Sequence, residues 1–273
     1  MRWANYAHEG RIATGRVEGD TIVPTDAGSP LVAVLDGASE TGAPIAIEEV
    51  RLLAPLDPIR NVLCVGWNYL PHFEEGAVVH GDRELPTRPN FFSKMTGSVI
   101  GPFDPIPSHR GVTEKLDWEV ELGVVIGKEV VDLTPEDALD AVAGYVVAQD
   151  ISAREVQLTR GGQWLKGKSL DGTCPIGPWL VDARAIDDPQ ALDIACSVNG
   201  EVKQSSNTRT MIFDVVELLV ELSAGSSLYP GDLFLSGTPE GVGQARTPPE
   251  FLRPGDVLES TIEGIGTIRN PVV

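Results

Sequence analysis

Apolar residues along this chain recur mostly at alternate positions or in short β-branched runs, the period of strands and not of helices. Segments of this kind at 118–126, 145–148, 233–235 and 257–262 each predict a strand. Near the amino terminus, 11–17 and 21–24 flank Glu18-Gly19-Asp20, which predicts a hairpin within a small β-rich module. Pro55 and Pro58 break regular structure ahead of the apolar run Val62-Leu63-Cys64-Val65, so a small N-terminal β-rich domain is expected over 1–58 and a larger one over 59–273. Three helices are expected. One has Thr134 as N-cap and Pro135 in its first position, ending before Gly144. Another starts at Ser152, whose spacing to Glu155 is that of a capping box. The third covers 213–222 and carries Val216, Leu219 and Leu222 along one face.

Composition narrows the class. Hydrophobic residues are 42% and charged residues 22% of 273, ordinary for a globular protein with a sizeable core. A formal charge of -19 repels phosphate backbones and anionic lipid, so neither nucleic acid nor a membrane is expected as a partner. Cys64, Cys174 and Cys196 are odd in number and form no C-x-x-C pair, which suits buried thiols in a reducing compartment. The segment Met1-Arg2-Trp3-Ala4-Asn5-Tyr6 lacks the build of a secretory signal, and no apolar stretch approaches the roughly 20 residues of a spanning helix, so the cytoplasm is expected.

Candidate chemistry concentrates in 117–126. Strand alternation sends Trp118, Val120 and Leu122 to one face and Asp117, Glu119 and Glu121 to the other. Same-face neighbours lie about 6.6–6.8 Å apart, so the flexible Glu119 and Glu121 side chains can converge on one cation. A charged outer face is the ordinary explanation of an E-x-E pattern. Here the run continues into Gly123-Val124-Val125-Ile126, which reads as buried on both faces, and carboxylates entering such a strand are costly without a compensating cation. Asp150, closing the apolar run 145–149, offers a third carboxylate. The donors are all oxygen, and His8, His72, His80 and His109 form no H-x-H or H-x-x-x-H pair. A hard ion, Mg²⁺ or Mn²⁺ with Ca²⁺ also admissible, is therefore favoured over zinc, with positions open for water or a chelating substrate.

The motifs Val65-Gly66-Trp67-Asn68-Tyr69-Leu70-Pro71-His72, Asp117-Trp118-Glu119-Val120-Glu121 and Asp150-Ile151-Ser152-Ala153-Arg154-Glu155-Val156-Gln157 stand in a fixed order. They are followed by Lys168-Ser169-Leu170-Asp171, Pro175-Ile176-Gly177-Pro178 and Gly237-Thr238-Pro239-Glu240-Gly241-Val242-Gly243. From about Asn61 onward this set resembles the fumarylacetoacetate hydrolase family, in its shorter bacterial branch. The resemblance implies an α+β fold, a strand-rich mixed β-roll, and a homodimer. It makes Glu119, Glu121 and Asp150 metal ligands, places Arg154, Gln157, Lys168 and Thr238 in the substrate pocket, and maps a His-Glu dyad onto His72 and Glu75. Pro71 stands where the family usually has an acidic residue, and Trp67 is bulky for its position.

These assignments have physical counterparts. His72 and Glu75, spaced i, i+3, can touch on a helical turn, with Glu74 as the competing partner. A fixed ammonium on Lys168, or on Lys166 two residues earlier, can stabilise a developing oxyanion. Arg154, in the first turn of a helix, calls for a nearby anion, which a substrate carboxylate would supply. The glycines of 237–243 are not followed by G-K-[ST], and neither a dinucleotide fingerprint nor a G-x-S-x-G elbow occurs.

The expected activity is divalent-metal-dependent hydrolysis of a carbon–carbon bond in a 2,4-dioxo acid, an acylpyruvate or a diketo-deoxy sugar acid, giving pyruvate or a related 2-oxo acid plus a carboxylic acid. Decarboxylation or keto–enol isomerisation of an oxo acid is the alternative within the family. A non-catalytic metal-dependent ligand-binding module is the alternative outside it. Loops 74–87 and 244–251 are expected to set specificity.

Overall fold

Val120–Ile126 and Val142–Gln149 are buried along their whole length and pair antiparallel in the middle of the largest sheet, the position that hydrophobicity on both faces demands. The computed structural model describes residues 1–57, 59–76 and 84–273. Pro58, at the expected domain boundary, and residues 77–83 of the loop expected to set specificity lie outside the described residues.

In chain order the first strands are β1 (Arg2–His8), β2 (Arg11–Glu18), β3 (Thr21–Pro24), β4 (Ile45–Ala46), β5 (Arg51–Leu53) and β6 (Val62–Gly66). Then come β7 (Asn90–Lys94), β8 (Val99–Ile100), β9 (Leu116–Asp117), β10 (Val120–Ile126), β11 (Val142–Gln149) and β12 (Ser152–Ala153). The last are β13 (Cys174–Asp182), β14 (Asp193–Val198), β15 (Glu201–Asn207), β16 (Leu233–Leu235), β17 (Val257–Ile262) and β18 (Gly266–Pro271). The helices are α1 (Pro30–Asp36), α2 (Leu70–Glu75), α3 (Arg154–Thr159), α4 (Leu165–Lys168) and α5 (Val215–Ser223). Among the described residues, no helix is long and apolar enough to cross a membrane.

The largest sheet runs β4-β3-β2-β1-β13-β11-β10-β16-β6-β7, with β5 on β1 and β8 on β13. It is mixed, because β6 joins β16 and β8 joins β13 in parallel. The amino-terminal hairpin forms as expected, its turn carrying Gly19 in the left-handed region at φ +57°. That module continues the central sheet through Trp3 opposite Leu180. A separate sheet, β15-β14-β17-β18, closes one face of the centre: Ile194, Cys196, Leu258 and Ile262 share a cluster with Trp118, Val120, Leu122 and Val147. The opposite face packs Val125, Val146 and Ala148 against Cys64, Cys174 and Leu235. The result is the strand-rich mixed β-roll with few helices.

Three expected elements take another form. The helix from Thr134 is a turn, in which the Thr134 hydroxyl donates to Asp137, followed by a short 3₁₀ segment Leu139–Ala141. The chain from Val142 is committed to the fully buried β11, so the expected helix cannot run on to Gly144. Ser152 does not cap a helix either: its hydroxyl donates to the Asp150 carbonyl while Ser152 and Ala153 pair with Asp117 and Leu116. Glu155 accepts instead from Thr113 Oγ1 and the Glu114 amide, and α3 begins at Arg154. The third helix starts later, at Val215, because the Asn68 side chain takes both backbone polar groups of Phe213; Asp214 and Glu217 then form the capping box.

Candidate active site

The expected single strand over 118–126 is interrupted at Trp118–Glu119, between β9 and β10. There the Gln149 amide replaces a ladder partner: its Oε1 accepts from the Glu119 N–H at 2.8 Å, and the Asp150 N–H donates to the Glu119 carbonyl at 2.9 Å. Gln149 Nε2 in turn donates to Ser260 Oγ at 2.7 Å, so the second sheet fixes this break. The interruption lets Glu119 and Glu121 meet Asp150 from the adjacent strand end. One oxygen from each of the three buried carboxylates lies within 4.8 Å of the others.

Asp117 does not join them. It accepts from the Gly243 and Gln244 amides and from Arg154 Nε at 2.7 Å. The Arg154 guanidinium also reaches Glu119 Oε1 at 2.6 Å and Gln157 Oε1 at 3.0 Å. Its expected anionic partner was a substrate carboxylate. The chain itself supplies two carboxylates, as a 7% exposed cation requires.

Lys168 is buried while Lys166, the alternative bearer of the ammonium, is exposed. Lys168 Nζ donates to Glu119 Oε2 and Asp150 Oδ2, both at 2.6 Å, and lies 5.0 Å from the Phe92 ring centroid. Its helix α4 sits so close to α3 that a Cβ on Gly167 would lie 2.5 Å from Gln157 Cα. Burial works against the Lys168 charge, but Asp150 and Glu119 outweigh it and raise its pKa. Burial likewise opposes ionisation of Glu119, yet Lys168, Arg154 and His72 hold its carboxyl well below the usual range. Glu121 goes the other way: burial and then the Asp150 and Glu119 charges push it well up, although the Gly237 amide donates to its Oε2 at 2.6 Å.

The cluster fits a hard divalent cation. Four buried carboxylates, Asp117, Glu119, Glu121 and Asp150, face three buried cations, Lys94, Arg154 and Lys168. The donors available to an ion are all oxygens, from three buried carboxylates that lie within 4.8 Å of one another.

His72 lines the same pocket as Glu119 and Glu121. Its Nδ1 lies 2.8 Å from Glu75 Oε1, and both Glu75 oxygens accept from the Gly241 amide at 3.0 and 2.9 Å. Glu74, the competing partner, is exposed. Pro71 occupies the first turn of α2, where its missing N–H costs nothing. Trp67 takes φ +53° and packs edge-on to Trp164 at 5.2 Å, which in turn contacts Phe92 at 5.3 Å. These rings, with Val65, Leu158 and Val242, form the apolar side of a pocket whose polar side includes His72, Glu119, Glu121, Arg154, Gln157 and Lys168. Thr238 also lines it, but its hydroxyl donates to the Val120 carbonyl and accepts from Gln204.

Sequence reasoning passes over Lys94, Gln149 and Gln204. Lys94 Nζ donates to Asp150 Oδ1 at 2.8 Å and to the Ile151 carbonyl at 3.2 Å. The available signal was alternation along β7, which puts Lys94 on the inward face with Phe92. The glutamines gave none, because their partners are distant in sequence. Cys64, Cys174 and Cys196 are buried thiols as expected, and burial pushes Cys174 and Cys196 up to about 12.

Residues 61–273 match the family described as fumarylacetoacetate (FAA) hydrolase C-terminal, and residues 1–55 match the one described as Rv2993c-like, N-terminal. Oxaloacetate tautomerase Fahd2a, mitochondrial, of Rattus norvegicus is 45% identical over 227 residues, covering 82% of this chain and 70% of the relative. Oxaloacetate tautomerase YisK of Bacillus subtilis is 44% identical over 228 residues, covering 83% and 74%. Among solved structures, the fumarylacetoacetate hydrolase of Exiguobacterium antarcticum aligns with TM-score 0.86 at 39% identity, covering 100% of this chain and 99% of that one. The 5-carboxymethyl-2-hydroxymuconate delta-isomerase of Mycobacterium smegmatis aligns with TM-score 0.83 at 33% identity, covering 100% and 99%.

Proposed function

The chain belongs to the fumarylacetoacetate hydrolase family, and from that premise we propose that it is a divalent-metal-dependent enzyme interconverting the keto and enol forms of a short 2-oxo acid of the oxaloacetate kind. The observation that carries this reading is that His72, paired with Glu75, lines one pocket with Glu119 and Glu121, which cluster with Asp150. Glu119, Glu121 and Asp150 would hold a Mg²⁺ or Mn²⁺ ion, which would supply Lewis acidity to ease deprotonation of the carbon next to a carbonyl.

Proton movement falls to His72. With its hydrogen on Nδ1 and donated to Glu75, Nε2 is the acceptor available to the pocket. It removes the proton from substrate C3, and the electron pair of the C–H bond becomes the C2–C3 double bond. The imidazolium then delivers the proton to the oxygen on C2, completing the enol with no net proton change. Glu75 holds the ring's orientation and is itself fixed by the Gly241 amide. Two of the three Lys168 hydrogens go to Glu119 and Asp150, and the third is the donor available to the oxygen gaining charge. Trp67, Phe92 and Trp164 give the pocket an apolar side.

Hydrolysis of a 2,4-dioxo acid is the second reading, because the same dyad is placed to activate a water. One experiment separates them: ketonisation of enol-oxaloacetate and pyruvate release from acylpyruvates, each with Mn²⁺ and after chelation, for wild type and His72→Ala. The proposal expects metal-dependent ketonisation, lowered roughly 10²–10⁴-fold in the variant, the usual contribution of a positioned acid–base group. Pyruvate release lost in His72→Ala, without ketonisation, would move the protein to the hydrolases. No turnover of either substrate would leave the non-catalytic binding module.

A further inference from the structure

Each of the three clustered carboxylates has one oxygen held by a donor other than Lys168. Arg154 holds Glu119 Oε1, the Gly237 amide holds Glu121 Oε2, and Lys94 holds Asp150 Oδ1. The other oxygens of Glu119 and Asp150 both meet the Lys168 ammonium. Glu121 Oε1 carries no hydrogen bond from a described residue. Glu119 and Asp150 thus each give one oxygen to a separate cation and the other to the shared Lys168 ammonium, and one oxygen of each of the three carboxylates lies within 4.8 Å of the others.

Among these cations, Lys94 pairs with Asp150 alone of the three carboxylates. Its side chain is fully buried, and both its hydrogen bonds go to Asp150 and the next carbonyl, Ile151. A buried lysine on β7 is expensive unless it acts on the group it meets. Its contact occupies Asp150 Oδ1 and leaves Oδ2, which accepts from Lys168, as the oxygen on the side of Glu119. Mg²⁺ and Mn²⁺ sites take one oxygen from each carboxylate in near-octahedral geometry, whereas Ca²⁺ accepts more oxygens and readily takes carboxylates through both.

We propose that Lys94 is a positioning residue that confines Asp150 to a single ligating oxygen and so biases the site toward Mg²⁺ or Mn²⁺ over Ca²⁺. The inference rests on the metal-dependent reading above. It concerns ion choice, which a merely structural role for Lys94 would not change.

The test is calorimetric titration of Mn²⁺ and of Ca²⁺ into chelator-stripped wild type and Lys94→Met. Wild type binds Mn²⁺ more tightly than Ca²⁺. In the variant the Mn²⁺ Kd rises roughly 10–100-fold, the usual effect of losing a ligand's supporting partner, while the Ca²⁺ Kd rises less or falls. An equal change for both ions, or no change, overturns the proposal. Wild type binding neither ion would remove the metal reading and this inference together, an outcome distinct from unchanged selectivity. If Lys94→Met does not fold, the crystal structure of Mn²⁺-loaded wild type decides. Asp150 ligating through Oδ2 alone, with Oδ1 on Lys94, supports the proposal; ligation through both oxygens overturns it.

Discussion

Glu121 and Lys168 occupy the same cluster with opposite consequences for stability. Glu121 is pushed well above the carboxylate range by burial and by Asp150 and Glu119, so its charge opposes folding whenever no cation is bound. Glu121→Gln should therefore raise the urea midpoint in chelator while abolishing the Mn²⁺-induced rise in melting temperature; a lower midpoint in chelator would contradict this. Lys168 is the cation that Glu119 and Asp150 already share. Its replacement by Met should cost the stripped protein about 3–5 kcal/mol, as breaking a buried pair does, with Mn²⁺ recovering part of the loss in the same unfolding experiment. At this scale the sequence was informative where chemistry is local. Alternation placed Glu119 and Glu121 together, and the end of an apolar run marked Asp150. It was silent where partners are remote: Asp117 follows the same alternation but turns to Arg154 and two loop amides, and Gln149 owes its role to Ser260.

At the scale of elements, the short helices position chemistry and do little else. The contact of α3 with α4 brings Arg154, Gln157 and Lys168 to one wall, and Gly167 permits it. Gly167→Ala should destabilise by about 1–3 kcal/mol, the range for overpacking, and should weaken Mn²⁺ binding because Lys168 shifts with α4. Equilibrium unfolding and calorimetry read the two effects separately. In α5, Asp214→Ala removes a capping box far from the site; about 1 kcal/mol should be lost with Mn²⁺ affinity unchanged. The hairpin β2–β3 was legible because its turn and alternation are contained in a few residues. The helix expected from Thr134 failed for the converse reason. Its capping signals are real, but the chain from Val142 is needed in the buried centre of the sheet, and tertiary packing overrides local propensity.

For the molecule as a whole, the pairing of β1 with β13 and the second sheet over β10 and β11 join segments far apart in sequence, and no local pattern encodes them. The burial they create keeps several acids neutral. Burial pushes Cys174, Cys196 and Tyr145 up to about 12, and raises Cys64 and Tyr69 well above their ordinary values. Above about pH 8.5 the unfolded thiols release protons that the folded ones keep. Stability is therefore full below that pH and lost as pH rises toward 12. The urea midpoint should fall steadily over this window, and a flat profile would show that these groups ionise in place.

The central claim is that Glu119, Glu121 and Asp150 hold the ion on which proton transfer at the substrate depends. It is tested most directly by titrating Mn²⁺ into chelator-stripped protein while following the ultraviolet absorbance of enol-oxaloacetate. The account predicts a ketonisation rate that rises with Mn²⁺, saturates at one ion per chain, and stays at the uncatalysed level in Glu119→Gln. Full ketonisation by the stripped protein, or an unchanged rate in Glu119→Gln, would contradict it.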